Sequence, residues 1–417
     1  MSPTKLYFDI RDLFQAPRLA LSGKKIWILI VGNLFGFILY WILSYLSLVI
    51  AGLSFSNAVT RYGLYPCLFG NEAEWYSWII YFIGIFGWIL SIYMALTAVS
   101  RVTLKQLKGN DFFSSGDAWK YVQKHWHAVL FTPISIGIIL AFFTAFAGLF
   151  GLIGSIPFFG ELFFAIPYPL YFLGSVFTIY TLFVLITSLI YTPIIVGTYE
   201  EDTMGTVFQS YSITWSQPWR VLLYNLLLLS LAIIGLEIFS WFWFNAYGFI
   251  NYIFGCDWFM GEKLLNITTY AASLVCPAWM CEMLLCIKSW ITGIFGYCYC
   301  IPSLFQTTYM TTSPISIAET ISGVILSVSL FLMGLSIISY GFSIIAVGET
   351  LMFIIFKKKS DDDDLLQRKD EDELEDELED ELEDELEDEL EDELEDELED
   401  EIQSDQKDSN DEHKDID

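Results

Sequence analysis

The chain has 417 residues, 51 acidic and 21 basic side chains and a net charge of −30, yet 54% of it is hydrophobic and 17% aromatic. Residues 361–417 hold 35 of the acidic and 4 of the basic side chains, a net of −31, so residues 1–360 are close to neutral at +1. This split excludes a single soluble domain, a protein with a basic nucleic-acid-binding face, a wholly disordered acidic chain and a small disulfide scaffold.

In chain order, six uncharged or nearly uncharged stretches are long enough to cross a ~30 Å hydrocarbon layer as helices. They fall at 26–54, 77–100, 128–154, 168–198, 221–244 and 320–348, the fifth interrupted by Glu237. Helices satisfy their own backbone groups in lipid, which predicts an all-α, multi-pass membrane bundle. The first stretch is too long for the apolar core of a cleaved signal and lacks a small-residue cleavage site at the usual distance. Residues 245–318 are less lipid-like. Their uncharged runs at 264–281 and 289–318 form either two more spans, making eight, or an exofacial subdomain of interfacial helices. The predicted division is a membrane domain over 1–360 and an acidic low-complexity tail over 361–417.

Basic residues in the connecting segments set the orientation. With the N-terminus in the cytoplasm, 14 of the 17 basic residues of the body lie inside, among them Lys24, Lys25, Arg101, Lys105, Lys120, Lys124, Arg220 and Lys357–Lys359; only Arg61, Lys263 and Lys288 lie outside. Both termini are therefore expected in the cytoplasm of a cell or inner membrane.

Amphipathic stripes precede spans one, three and five. They comprise Leu6, Ile10, Leu13, Phe14 and Pro17; then Trp119, Val122 and Trp126, capped by Ser115 or Asp117; then Met204, Val207, Phe208, Tyr211 and Trp215. Each predicts a helix lying in the membrane interface. Together they suggest three copies of one unit: interfacial helix, span, outer loop, span.

The segment from the end of span four carries Thr192-Pro193, Glu200, Ser210 and the pair Trp219-Arg220. Over about 45 residues it resembles bacterial and archaeal polytopic proteins related to the membrane domain of some glycerophosphodiester phosphodiesterases. The resemblance implies an envelope membrane domain. It does not imply that enzyme activity, because no segment here could hold the soluble catalytic barrel.

Candidate chemistry is sparse. His125 and His127 fall on opposite sides of a helix, which is poor geometry for one metal, and no cofactor is expected. Glu237 is a carboxylate within a span, either a proton or cation site or a residue near the outer interface. Asn33 and Asn225 are candidates for hydrogen bonds between spans. Glu349 reads as a surface residue near the inner headgroups. All seven cysteines, Cys67, Cys256, Cys276, Cys281, Cys286, Cys298 and Cys300, are expected on the outer side, as disulfides, free thiols or ordinary small apolar residues.

The tail repeats Glu-Leu-Glu-Asp, with leucines every four residues from Leu374 to Leu398. A four-residue step drifts ~40° per repeat on a helix, so no coiled-coil seam persists. Like charges at that spacing repel. A fluctuating helix or disorder is predicted, either a polyanionic arm for basic cytoplasmic proteins or divalent cations, or a dispensable expansion. The whole reads as a non-enzymatic membrane protein that organises the envelope or scaffolds partners. The alternatives are a small-molecule or lipid transporter or channel lined by Glu237, Asn33 and Asn225, and a membrane-embedded lipid enzyme.

Overall fold

The structure is a computed structural model that describes residues 6–275 and 315–369. Its regular elements are a 3-10 turn at Ile10–Gln15 and eleven described helices, numbered here in order. They are α1 Ala16–Ala20, α2 Gly23–Ile50, α3 Phe55–Tyr62, α4 Trp75–Leu107, α5 Ser115–Gly154, α6 Phe159–Ala165, α7 Tyr168–Tyr199, α8 Thr203–Ser216, α9 Pro218–Phe254, α10 Glu262–Val275 and α11 Ile317–Ser360. Among the described residues there is no strand, and six helices (α2, α4, α5, α7, α9, α11) are long and apolar enough to span a membrane. The protein is an all-α polytopic membrane bundle. Whether 276–314 adds spans lies outside the described residues, as do Cys276, Cys281, Cys286, Cys298, Cys300 and the acidic repeat.

The spanning helices overrun the apolar stretches that announce them. At 1.5 Å per residue, the 44-residue α11 is about 66 Å long, twice the hydrocarbon thickness. At one end the helices are wrapped by protein. Val99 to Lys105, Tyr191 to Thr198 and Ala346 to Lys357 are buried without interruption. This end also gathers the N-terminal segment, the α4–α5 and α7–α8 turns and the end of α11. Lys24 donates to the Asp111 carbonyl at 2.7 Å, and Lys359 lies 3.8 Å from Asp9. The body's basic residues cluster here, so it is called the basic end below. At the other end, α5 buries no residue beyond Ile136, and the first half of α7 presents Leu170, Phe172 and Leu173 outward.

Small residues let the helices approach. Gly32 and Gly36 sit one turn apart on α2, facing α4. A Cβ would fall 2.6 Å from Ala95 Cβ at the first and 2.6 Å from Trp88 Cδ1 at the second, so only glycine fits without a shift. The end of this pair away from the basic end is filled by Phe37, Tyr40, Tyr81 and Trp88, and Tyr45 ties the following loop by donating to the Gly63 carbonyl at 2.5 Å.

The three expected interfacial helices take different forms. The first is no continuous helix. Asp9 and Asp12 form a capping box on the 3-10 turn, and Pro17, which suits a first helical turn, starts the separate α1. Leu13, Ala16 and Ala20 of this strap are fully buried against the bundle. The second is simply the first turns of α5, which runs unbroken for 40 residues; its cap is Ser114, which accepts from the Asp117 amide, rather than Ser115 or Asp117. The third is a separate helix, α8, capped by Asp202 through the Gly205 amide at 2.8 Å. Its stripe is divided: Val207 is buried while Met204, Phe208 and Trp215 are exposed.

The compact body continues past α11 to Leu366, with residues from Gln367 forming a second unit. Leu365 is buried in the main core, Asp361 pairs with Lys357 at 2.6 Å and Asp363 accepts from Tyr199 at 3.1 Å. The first acidic residues after α11 thus belong to the body.

Candidate functional site

Pro193 lies inside α7 and has no N–H to give the carbonyl of Leu189 one turn back. Tyr93 of α4 supplies the missing donor, its hydroxyl bonding that carbonyl. Next to the proline, Thr192 and Ser188 share a buried hydroxyl–hydroxyl bond of 2.9 Å. Two turns on, α7 is closed by Glu200, which stands in the left-handed region at φ 59°. That position usually takes glycine or asparagine. Glutamate holds it because its carboxylate pairs with Arg101 of α4, whose side chain is fully buried.

Arg101 also lies over the Tyr121 ring of α5, 4.4 Å from its centroid, and the Tyr121 hydroxyl donates 2.5 Å to the Val196 carbonyl. Because Glu200 leaves the helix, that carbonyl lacks its usual amide, and Tyr121 supplies the cap. His125 stacks on Tyr121 at 4.3 Å. Arg101, Tyr121 and Glu200 therefore clasp the ends of α4, α5 and α7. The two charges pair and the cation rests on an aromatic face, so the clasp joins three helix ends.

A second polar cluster lies where α11 meets α4 and α7. Thr350 donates to its own Ala346 carbonyl at 2.7 Å, which leaves Ser100 as donor in the 2.9 Å bond between Ser100 and Thr350. Glu349, the preceding residue, is 7% exposed. This corrects its reading as a surface residue: α11 continues as a buried helix well past the apolar stretch. Tyr93 and Tyr191 lie within electrostatic reach of it. Tyr191 is fully buried and accepts a 2.8 Å bond from Asn225 of α9.

The residues singled out from sequence do not converge. Asn33 accepts 2.7 Å from the Trp88 indole, joining α2 to α4, and Asn225 joins α9 to α7. Glu237 is half-buried on α9. Of the family-like motif, Thr192, Pro193 and Ser210 are buried and Glu200 is partly buried, but Ser210 donates within α8 to Thr206 at 2.9 Å, while Glu200 reaches α4. Trp219 is exposed; Arg220 donates to Gln217 at 3.0 Å, and Gln217 in turn donates to the Phe356 carbonyl of α11. Cys67 is half-buried, accepting from the Tyr81 hydroxyl at 3.7 Å; Cys256 is exposed; both are free thiols. His125 and His127 join no metal-binding group among the described residues.

Comparisons with family models, curated proteins and solved structures find no match.

The residues that carry the two clusters, Arg101, Tyr93, Tyr121, Tyr191 and Glu349, were missed. A signal for Glu349 was present: Ser339, Ser343, Ala346, Gly348 and Thr350 are the small and hydroxyl residues that mark close helix packing, and a carboxylate among them points inward.

Proposed function

We propose that this chain is a non-enzymatic integral membrane protein that organises the envelope or scaffolds partners, with both termini on the cytoplasmic side. One observation carries the reading: polar side chains at the basic end are spent on joining helices. Arg101 and Glu200 clasp three helix ends, Asn33 and Asn225 each bridge two helices, and Gln217 pins the α8–α9 joint to α11. The clustering of basic residues at the end that also holds both sides of the chain supports the cytoplasmic orientation. The resemblance around Thr192-Pro193 and Glu200 supports an envelope role, and the acidic repeat is read as an arm for basic proteins or divalent cations.

The test is deletion of the gene followed by measurement of lipid composition and survival under envelope stress. Envelope defects restored by the wild-type chain support the reading; an unaltered envelope under every stress counts against it. Reporter fusions at both termini test the orientation, and an exofacial signal from either overturns that part. A transporter is the second reading, favoured by a different observation, the buried carboxyl of Glu349.

A further inference from the structure

Glu349 stands out among the acidic residues of the spanning helices for its burial. Its side chain is over nine-tenths buried on α11, and among the described residues no hydrogen bond or ion pair engages its carboxyl. The surrounding positions are packed: Ala346, Val347, Thr350, Leu351 and Phe353 are all fully buried. The nearby donors are committed. The Tyr93 proton goes to the Leu189 carbonyl. The Tyr191 hydroxyl takes the Asn225 amide and faces the Met352 sulfur at 3.9 Å. Ser100 and Thr350 bond each other.

An ionised carboxylate in such a place is desolvated with no cation beside it, among the described residues, to offset the cost. The charged groups of the elements packed on α11 do not relieve it. Arg101 of α4 is held by Glu200, Lys25 of α2 donates to the Leu19 carbonyl, and Lys357 of α11 pairs with Asp361. On α1, Arg18 is exposed, as are Glu262 and Lys263 of α10; on α9, Arg220 donates to Gln217 and Glu237 is half-buried. On the strap, Asp9 lies by Lys359 and Asp12 accepts backbone amides. The facing titratable groups are Tyr93 from α4 and Tyr191 from α7.

The geometry points to Glu349 as a proton-binding site in the seam of α4, α7 and α11: packed shut, the seam holds the neutral acid, and release of the proton requires the seam to open. The ligand is a proton: among the described residues Glu349 belongs to no group of acidic, histidine or cysteine side chains that could hold a metal ion. The site is independent of the scaffolding reading, since it concerns what opens the body rather than what the body binds.

The experiment uses the full chain in proteoliposomes. Infrared spectra of wild type and Glu349→Gln are compared in the carboxylic-acid carbonyl region across pH, alongside the unfolding equilibrium of each. The expected result is a protonated-carboxyl band at neutral pH that Glu349→Gln removes. The unfolded chain binds fewer protons at Glu349 than the folded chain, so wild-type stability should fall about tenfold per pH unit above the ordinary carboxylate range, with Glu349→Gln lacking this dependence. A neutral-pH difference spectrum without that band, or identical pH dependence in the two proteins, overturns the proposal. Should Glu349→Gln fail to insert, carbon-13 labelling of glutamate in the wild-type chain, with Glu349→Asp shifting the labelled band, reads the same proton; no protonated labelled band then overturns it.

Discussion

The two ends of this bundle are built on different terms. At the basic end, α7 buries every residue from Tyr191 to Thr198, and the Tyr191 hydroxyl and the Val196 carbonyl are each met by a side chain from another helix. At the far end, the same helix buries nothing from Tyr168 to Tyr180, and α5 runs from Gly137 to Gly154 with Phe142, Phe146, Leu149 and Leu152 outward. Apolar exposure on this scale belongs to a surface solvated by lipid. The basic end is held by specific contacts that fix which helix meets which. The far ends of α5 and α7 are held by hydrophobic length, which sets depth but names few neighbours.

The largest test of this contrast is at the clasp. Arg101→Met leaves Glu200 buried without its cation and should cost about 3–5 kcal/mol in reversible unfolding in detergent. Adding Glu200→Gln should restore much of the loss; an unrescued double variant would show that the pair itself does not hold the end together. A smaller effect is expected for Tyr93→Phe, which strips the donor from the Leu189 carbonyl beside Pro193 and should cost about 1 kcal/mol. Restoring the backbone donor in Tyr93→Phe/Pro193→Ala should return stability toward wild type.

Smaller again is the Asp361–Lys357 contact. The hydrogen bond from Lys357 holds the Asp361 carboxyl below its usual range. Its contribution is therefore present above the ordinary carboxylate range and is lost as pH falls through the depressed value. With the Asp361 side chain 40% exposed, this is worth under about 1 kcal/mol. Acid unfolding of wild type against Asp361→Asn should converge below about pH 4. The smallest change is expected at the far end: Phe146→Ala should shift detergent unfolding by no more than about 0.5 kcal/mol. A larger loss would mean that Phe146 is packed against protein.

The same contrast explains what was legible in the sequence. All six spanning helices were readable, because apolar length is a local property and lipid imposes it directly. The asparagines were correctly read as bonds between spans, since a polar side chain in an apolar run must find a partner nearby. Arg101 and Glu349 were not readable. A charge at the edge of an apolar run looks the same whether the chain there meets water or other helices, and the deciding partners lie far away in sequence. Arg101 was counted as a loop residue because the uncharged run ends at Ser100, yet α4 continues to Leu107 inside protein. The N-terminal stripe was legible only in part: Leu13 is buried in the main core, while Ile10 and Phe14 stay exposed.

The strap has a consequence for how the chain is made. Tyr340 of α11 donates to the Pro17 carbonyl at 3.1 Å and Ser343 to the Ala20 carbonyl at 2.9 Å, each across 323 residues. Pro17 and Ala20 therefore leave the ribosome more than 300 residues before the helix that bonds them. Every shorter nascent chain exposes Leu13, Ala16 and Ala20, a face that only α11 completes. A product cut before Tyr340 carries a strap without its α11 partners, by which quality control can tell it from the longer chain.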